Sequence, residues 1–167
     1  MKDGVVQQVD TPQTLYNAPC NLFVAGFIGS PQMNFLDATC KVNGNKVALE
    51  VGGAAIELPP AKAKKLIEGG YDGKTVVLGI RPEDVHDEPM FIASSPNTVI
   101  ESKIRVYEML GAEVYLYFDY AGSSMTARVD PRTTARTGDT VKFAFDAEKI
   151  HAFDKETECT ITKLICV

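Results

Sequence analysis

A chain of 167 residues with 45% hydrophobic and 23% charged side chains suffices for one folded domain plus a small appendage, and is too short for a large two-domain enzyme. The composition excludes a disordered or fibrous polymer, and no run approaches the roughly 20 apolar residues of a spanning helix. Seventeen lysines and arginines against 22 acidic residues leave a net charge of −5, a field that repels phosphate backbones and anionic lipid, so nucleic acid is not an expected partner.

Up to about Asn34 the signals are those of short helices behind the stump of a hairpin. Lys2-Asp3-Gly4 is turn chemistry followed by Val5, Val6 and Val9, with almost nothing before it to supply another strand, so the chain is expected to begin within a domain. No apolar signal peptide opens it, and a cytosolic location is expected. Thr11-Pro12 reads as N-cap and first helical residue, because the hydroxyl takes an orphan N–H and proline lacks one there. That helix should run through Tyr16 and end near Pro19. Asn21 to Ile28 predicts a second helix, ended by Gly29 and Pro31, with Leu22, Phe23, Phe27 and Ile28 too apolar to stay exposed.

From Phe35 onward the period becomes two. Val47, Leu49 and Val51 alternate with polar neighbours after the Asn43-Gly44 turn, as do Val76, Leu78 and Ile80, then Val114, Leu116 and Phe118, then Met125, Ala127 and Val129, then Val141, Phe143 and Phe145. Each set predicts one inward face. Pro59 to Glu68, ended by Gly69-Gly70, predicts a single short internal helix. The fold class is therefore mainly β, an oligonucleotide-binding (OB)-like barrel with short N-terminal helices and one short internal helix.

Several groups invite a chemical reading. Gly73-Lys74-Thr75 ends like a phosphate-cradling loop, but the required first glycine falls at Glu68 and a strand follows where a helix must open, so a plain turn is expected. Glu83, Asp84, His86, Asp87 and Glu88 match no calcium or zinc spacing, which makes a solvated acidic loop between Pro82 and Pro89 the expectation. His151 has no nucleophile or carboxylate placed beside it by the sequence, so a packed or surface histidine is expected and no catalytic residue is assigned. Tyr107, Tyr115, Tyr117 and Tyr120 read as strand formers rather than base-stacking platforms. Lys62, Lys64 and Lys65 read as a solvated helix face. Cys20, Cys40, Cys159 and Cys166 form no Cys-x-x-Cys pair and have no histidine at ligand spacing, so reduced thiols and no metal are expected.

The most specific stretch is Phe23-Val24-Ala25-Gly26-Phe27-Ile28-Gly29-Ser30-Pro31-Gln32-Met33-Asn34-Phe35-Leu36. With Leu78-Gly79-Ile80-Arg81-Pro82-Glu83, Leu110-Gly111-Ala112-Glu113, Val129-Asp130-Pro131, Gly138-Asp139 and His151-Ala152-Phe153-Asp154, it resembles the ATP-binding subunits of maltose-type (MalK-like) and related sugar ABC importers, over essentially the whole chain. Thr14 departs from that pattern where an acidic residue is common, and Cys20 where a small one is.

The resemblance implies that residues 1–34 are the tail of a nucleotide-binding domain with its junction helices, and residues 35–167 an OB-like regulatory (TOBE) domain. It further implies a homodimer with a second copy of the subunit, contact with membrane permease subunits through the ATPase domain, a place at the inner face of the plasma membrane, and in some relatives docking of a phosphotransfer-system regulator or a transcriptional activator. The family's phosphate loop, magnesium-positioning carboxylate, Ser-Gly-Gly signature and switch histidine all precede this stretch. The chain is therefore expected to be a detached part that does not hydrolyse ATP, with ATP and Mg bound elsewhere and no cofactor here. Phe35, Gly79, Arg81, Pro82, Glu83 and Gly111, in the matching motifs, are the candidate regulatory or interface residues, although several could equally be fold determinants. A rival reading is small-oxyanion (molybdate-like) binding, for which Ser123, Ser124 and Lys142 are available.

Overall fold

A computed structural model describes residues 1–162. Cys166 lies outside the described residues. Lys2 and Val5 exchange both backbone hydrogen bonds at 2.9 Å, closing the turn at Asp3-Gly4. Helix α1 (Pro12–Asn17) is capped by Thr11, whose hydroxyl accepts from the Thr14 N–H at 3.2 Å. Helix α2 (Leu22–Phe27) is capped by Asn21, whose side-chain oxygen accepts from the Val24 N–H at 2.9 Å. Six residues are too few for a helix to stand alone, so docking must hold both. Val24 and Ala25 are the buried residues of α2; Leu22, Phe23 and Ile28 are half-buried, and of the four apolar residues expected to be covered only Phe27, 70% exposed, is not.

The strands follow as β1 (Asn34–Asn43), β2 (Lys46–Val51) and β3 (Ala54–Glu57), then helix α3 (Pro60–Glu68) and β4 (Thr75–Ile80). After these come β5 (Val85–His86), helix α4 (Pro89–Ser94), β6 (Val99–Leu110), β7 (Glu113–Tyr120), β8 (Ser123–Val129), β9 (Thr140–Phe145) and β10 (His151–Asp154). They build two five-stranded antiparallel sheets, ordered β10-β4-β1-β2-β3 and β5-β9-β6-β7-β8. The predicted inward residues of all five alternating sets are buried, except that Val141 is only half-buried. The two sheets share one core, at whose centre the Phe118 and Phe143 rings stack 4.4 Å apart.

Two polar ties join the sheets. The Asn34 side-chain amide donates to the Thr126 carbonyl at 2.9 Å and accepts from its N–H at 2.8 Å, so one side chain replaces a rung of ladder between β1 and β8. The Tyr120 hydroxyl donates to the Val51 carbonyl at 2.9 Å, reaching from β7 to β2. β8 also packs against β5, so the second sheet curls toward closure, and the mainly β, barrel-like architecture expected is the one that forms.

Two expectations need correction. A second internal helix, α4, forms in addition to α3; at six residues with none buried it leaves no period to read. Residues 82–89 are not a solvated loop: Pro82 and Val85 are buried, Val85-His86 pairs with Phe145-Ala144, and the Asp146 N–H donates to the Asp84 carbonyl at 2.9 Å. Among the described residues no helix is long and apolar enough to cross a membrane.

Candidate functional site

The end of β4 is where the N-terminal helices meet the barrel. A Cβ on Gly79 would lie 2.6 Å from Met33 Sδ, 2.9 Å from Phe153 Cε2 and 3.5 Å from Phe35 Cε1, so only glycine lets these three side chains close over the strand. Phe35 meets Phe153 edge-on with ring centroids 6.0 Å apart, and a small second core of Ala25, Met33, Val77 and Phe153 lies beneath, flanked by Leu22 and Phe35.

Two residues on, Arg81 is only 3% exposed. Its guanidinium donates from Nη1 to the Ile28 carbonyl at 2.8 Å and from Nη2 to the Tyr16 carbonyl at 2.6 Å, and it lies 3.7 Å from the Tyr16 ring centroid. These carbonyls end α2 and α1, where backbone oxygens lack helical partners and attract cations. One side chain thus fastens both helices to the barrel. The segment after β10 adds a second fastening, since the Leu22 N–H donates to the Glu158 carbonyl at 3.0 Å and the Thr160 N–H to the Cys20 carbonyl at 2.9 Å.

Beside Arg81 opens a cleft of about 370 Å³ lined by Tyr16, Lys62, Glu83, Asp84, Lys149 and His151 among others. Lys62 Nζ donates to the Glu148 and Ile150 carbonyls at 2.6 and 2.5 Å, and burial lowers its pKa. This corrects the solvated face expected for Lys62, because its stem crosses to the turn before β10; Lys64, by contrast, is exposed and pairs with Glu68 at 3.7 Å. Burial, reinforced by Lys62, Arg81 and Lys149, holds the His151 imidazole down to about 3, so it is neutral at pH 7. Burial and then Glu83 and Asp146 push Asp84 up to about 6. Burial also lowers the Arg81 pKa, although a guanidinium stays charged.

Phe35, Gly79, Arg81, Pro82 and Glu83 therefore cluster at this junction, Pro82 buried and Glu83 half-buried on the cleft rim. Gly111 stands apart: it takes φ +62° in the turn between β6 and β7, with nothing within 4 Å of the position its Cβ would fill. Met33 and Phe153 lie within the matching motifs without being marked as partners of Gly79, and Lys62 reads from the sequence only as part of a solvated face. Tyr16 and Lys149 carry no local signal, because their partners here lie more than 60 positions away in the chain.

The remaining candidates have local partners. Gly73-Lys74-Thr75 is a turn leading straight into β4, with the Gly73 N–H donating to the Cys40 carbonyl at 2.8 Å. His86 Nδ1 lies 3.1 Å from Glu88 Oε2, its ring stacks on Phe91, and the Thr133 hydroxyl donates to Asp87. Among the described residues no group of histidine, cysteine and carboxylate ligands could hold a metal. Tyr115 and Tyr117 donate to Glu113 and Glu108 at 2.6 and 2.9 Å, which ties their polar ends down beside carboxylates that repel nucleic acid. Ser124 donates to Asp119 at 3.2 Å, and the strands carrying Ser123, Ser124 and Lys142 are separated in their sheet by β6 and β7, so these three do not converge.

Comparison with known proteins agrees with the fold. A family model described as the MalK OB fold domain matches residues 29–85, and one described as a TOBE domain matches residues 78–153. The chain is 45% identical over 161 residues to the oligosaccharides import ATP-binding protein MsmX of Bacillus subtilis, covering 96% of this chain and 43% of the relative. It is 41% identical over 158 residues to the multiple sugar-binding transport ATP-binding protein MsmK of Streptococcus mutans, covering 95% of this chain and 41% of the relative. The chain thus spans less than half the length of these relatives. Among solved structures, the cytoplasmic molybdate-binding protein ModG shares the fold with a TM-score of 0.52 at 13% identity, over 72% of this chain and 94% of that one.

Proposed function

Because the chain belongs to the MalK OB fold and TOBE domain families, we propose that it serves as the regulatory and dimerisation domain of an ATP-binding subunit in a carbohydrate ABC importer. ATP and magnesium would be bound, and ATP hydrolysed, by parts of such a subunit outside this stretch. The proposed partners are a second copy of the subunit, permease components reached through the ATPase portion, and a phosphotransfer-system regulator. The subunit would work at the inner face of the plasma membrane.

The observation that carries this reading is the Arg81 fastening, where one buried cation holds the carbonyl ends of two helices against the barrel. A rigid joint of this kind would let the barrel follow movements of the chain upstream of it. Light scattering over a concentration series, with ATP binding and hydrolysis measured on the same sample, tests the proposal. A concentration-dependent dimer without nucleotide response supports it. A monomer at every concentration removes the pairing role, and ATP turnover by this chain overturns the assignment.

A further inference from the structure

We propose that the cleft between α1, α3 and the end of β4 binds a phosphate-class anion, held by Lys62, Arg81, Lys149 and His151. This site shares no residue with Ser123, Ser124 and Lys142, and it does not depend on the transport reading.

Three cations line the cleft, and among the described residues none of the three pairs with a carboxylate within 4.0 Å. Arg81, at 3% exposure, is satisfied by carbonyl oxygens and an aromatic ring, which accept its hydrogen bonds without cancelling its charge. Asp84 acts on Arg81 from beyond contact distance and offsets its buried charge only in part, so a bound anion in contact with the guanidinium would offset it further. Donors remain: the Lys62 ammonium has three N–H groups and spends two on the Glu148 and Ile150 carbonyls, and Arg81 has five and spends two. His151 adds a neutral ring able to donate one N–H, and the charged groups that most affect it are the cations Lys62, Arg81 and Lys149.

The same cleft carries Glu83, Asp84 and Glu148, and Asp146 acts on both Asp84 and Lys62. These carboxylates oppose a bare anion most strongly when all are ionised; protonation of Asp84 below about pH 6 relieves that repulsion while the phosphate loses a charge of its own over the same range. They also suit the hydroxyls of a small phosphomonoester, and a cleft of about 370 Å³ has room for more than a phosphate ion.

The test is NMR titration of the His151 ring in the full chain with inorganic phosphate, and separately with glycerol 3-phosphate, at pH 5.5 and 7.5 in low salt. The expected result is a saturable shift at both pH values, with the imidazole pKa raised by the neighbouring anion. Lys149 is exposed, so Lys149→Gln leaves the fold intact and weakens binding about tenfold, the size of one charge-assisted hydrogen bond. Tighter binding of the ester identifies an organic phosphate as the ligand, and equal affinity identifies free phosphate; both support the site. No saturable shift with either probe, or an unchanged affinity in Lys149→Gln, overturns it.

Discussion

The Arg81 guanidinium lies 3.7 Å from the centre of the Tyr16 ring while donating to the Tyr16 carbonyl at 2.6 Å, so one residue of α1 is gripped by both its side chain and its backbone. Arg81→Met keeps most of the apolar stem but leaves two helix-end carbonyls without a donor. It should cost about 3 kcal/mol, and amide hydrogen exchange in α1 and α2 should accelerate before exchange in the sheets. Arg81→Lys should restore little, because an ammonium cannot reproduce the planar stack and fork.

Gly79→Ala and Gly111→Ala separate two uses of glycine. At Gly79 the new methyl collides with Met33 and Phe153, and the overpacking should cost about 1–3 kcal/mol and disturb Phe153 ring signals. At Gly111 there is open space but φ is +62°, so the cost is about 1 kcal/mol of backbone strain with no change at Phe153. Urea unfolding and aromatic NMR on both variants check the contrast.

Asn34→Ala removes both hydrogen bonds to Thr126 from a position 6% exposed, and should destabilise by about 2–3 kcal/mol. Asn34→Asp loses the donor and sets a carboxylate against the Thr126 carbonyl, so it should be no better at pH 7 and should improve on acidification. Denaturation of both variants at two pH values is the measurement.

His151 and Asp84 give opposite pH dependences. His151, near 3 when folded against an ordinary 6.5, contributes stability that is complete above about pH 6.5 and lost as pH falls toward 3. Asp84, near 6 when folded against an ordinary 3.8, contributes stability that is complete below about 3.8 and lost as pH rises through 6. Between pH 4 and 6 the two slopes oppose each other. His151→Gln removes one of them, so its stability relative to the parent should rise by on the order of 2 kcal/mol from pH 6.5 to 5. Asp84→Asn should shift the balance the other way.

Much of the local structure was legible because its cause is local. Thr11 and Asn21 cap the helices they precede, and alternation at Val47, Leu49 and Val51 describes a strand with one buried face. The junction and barrel motifs pointed to the family that the two domain matches support. β6 was not legible: it pairs with β9 through Lys103, then with β7 from Ile104, and the register shifts between Ile104 and Val106, so no single alternation survives along it. β5 and α4 were too short to show a period.

The sequence by itself determined where helices start, where strands alternate and which motifs carry the family resemblance, because turn chemistry, capping and periodicity act over a few residues. Only the tertiary structure decided that β10 returns to pair with β4, that Lys62 reaches the carbonyls before β10, and that Tyr16, Arg81, Lys149 and His151 border one cleft. Those contacts join residues far apart in the chain. They exist because burying both sheet faces brings β4, α1 and the turn before β10 together, and a charge buried there must take whatever partners that packing supplies.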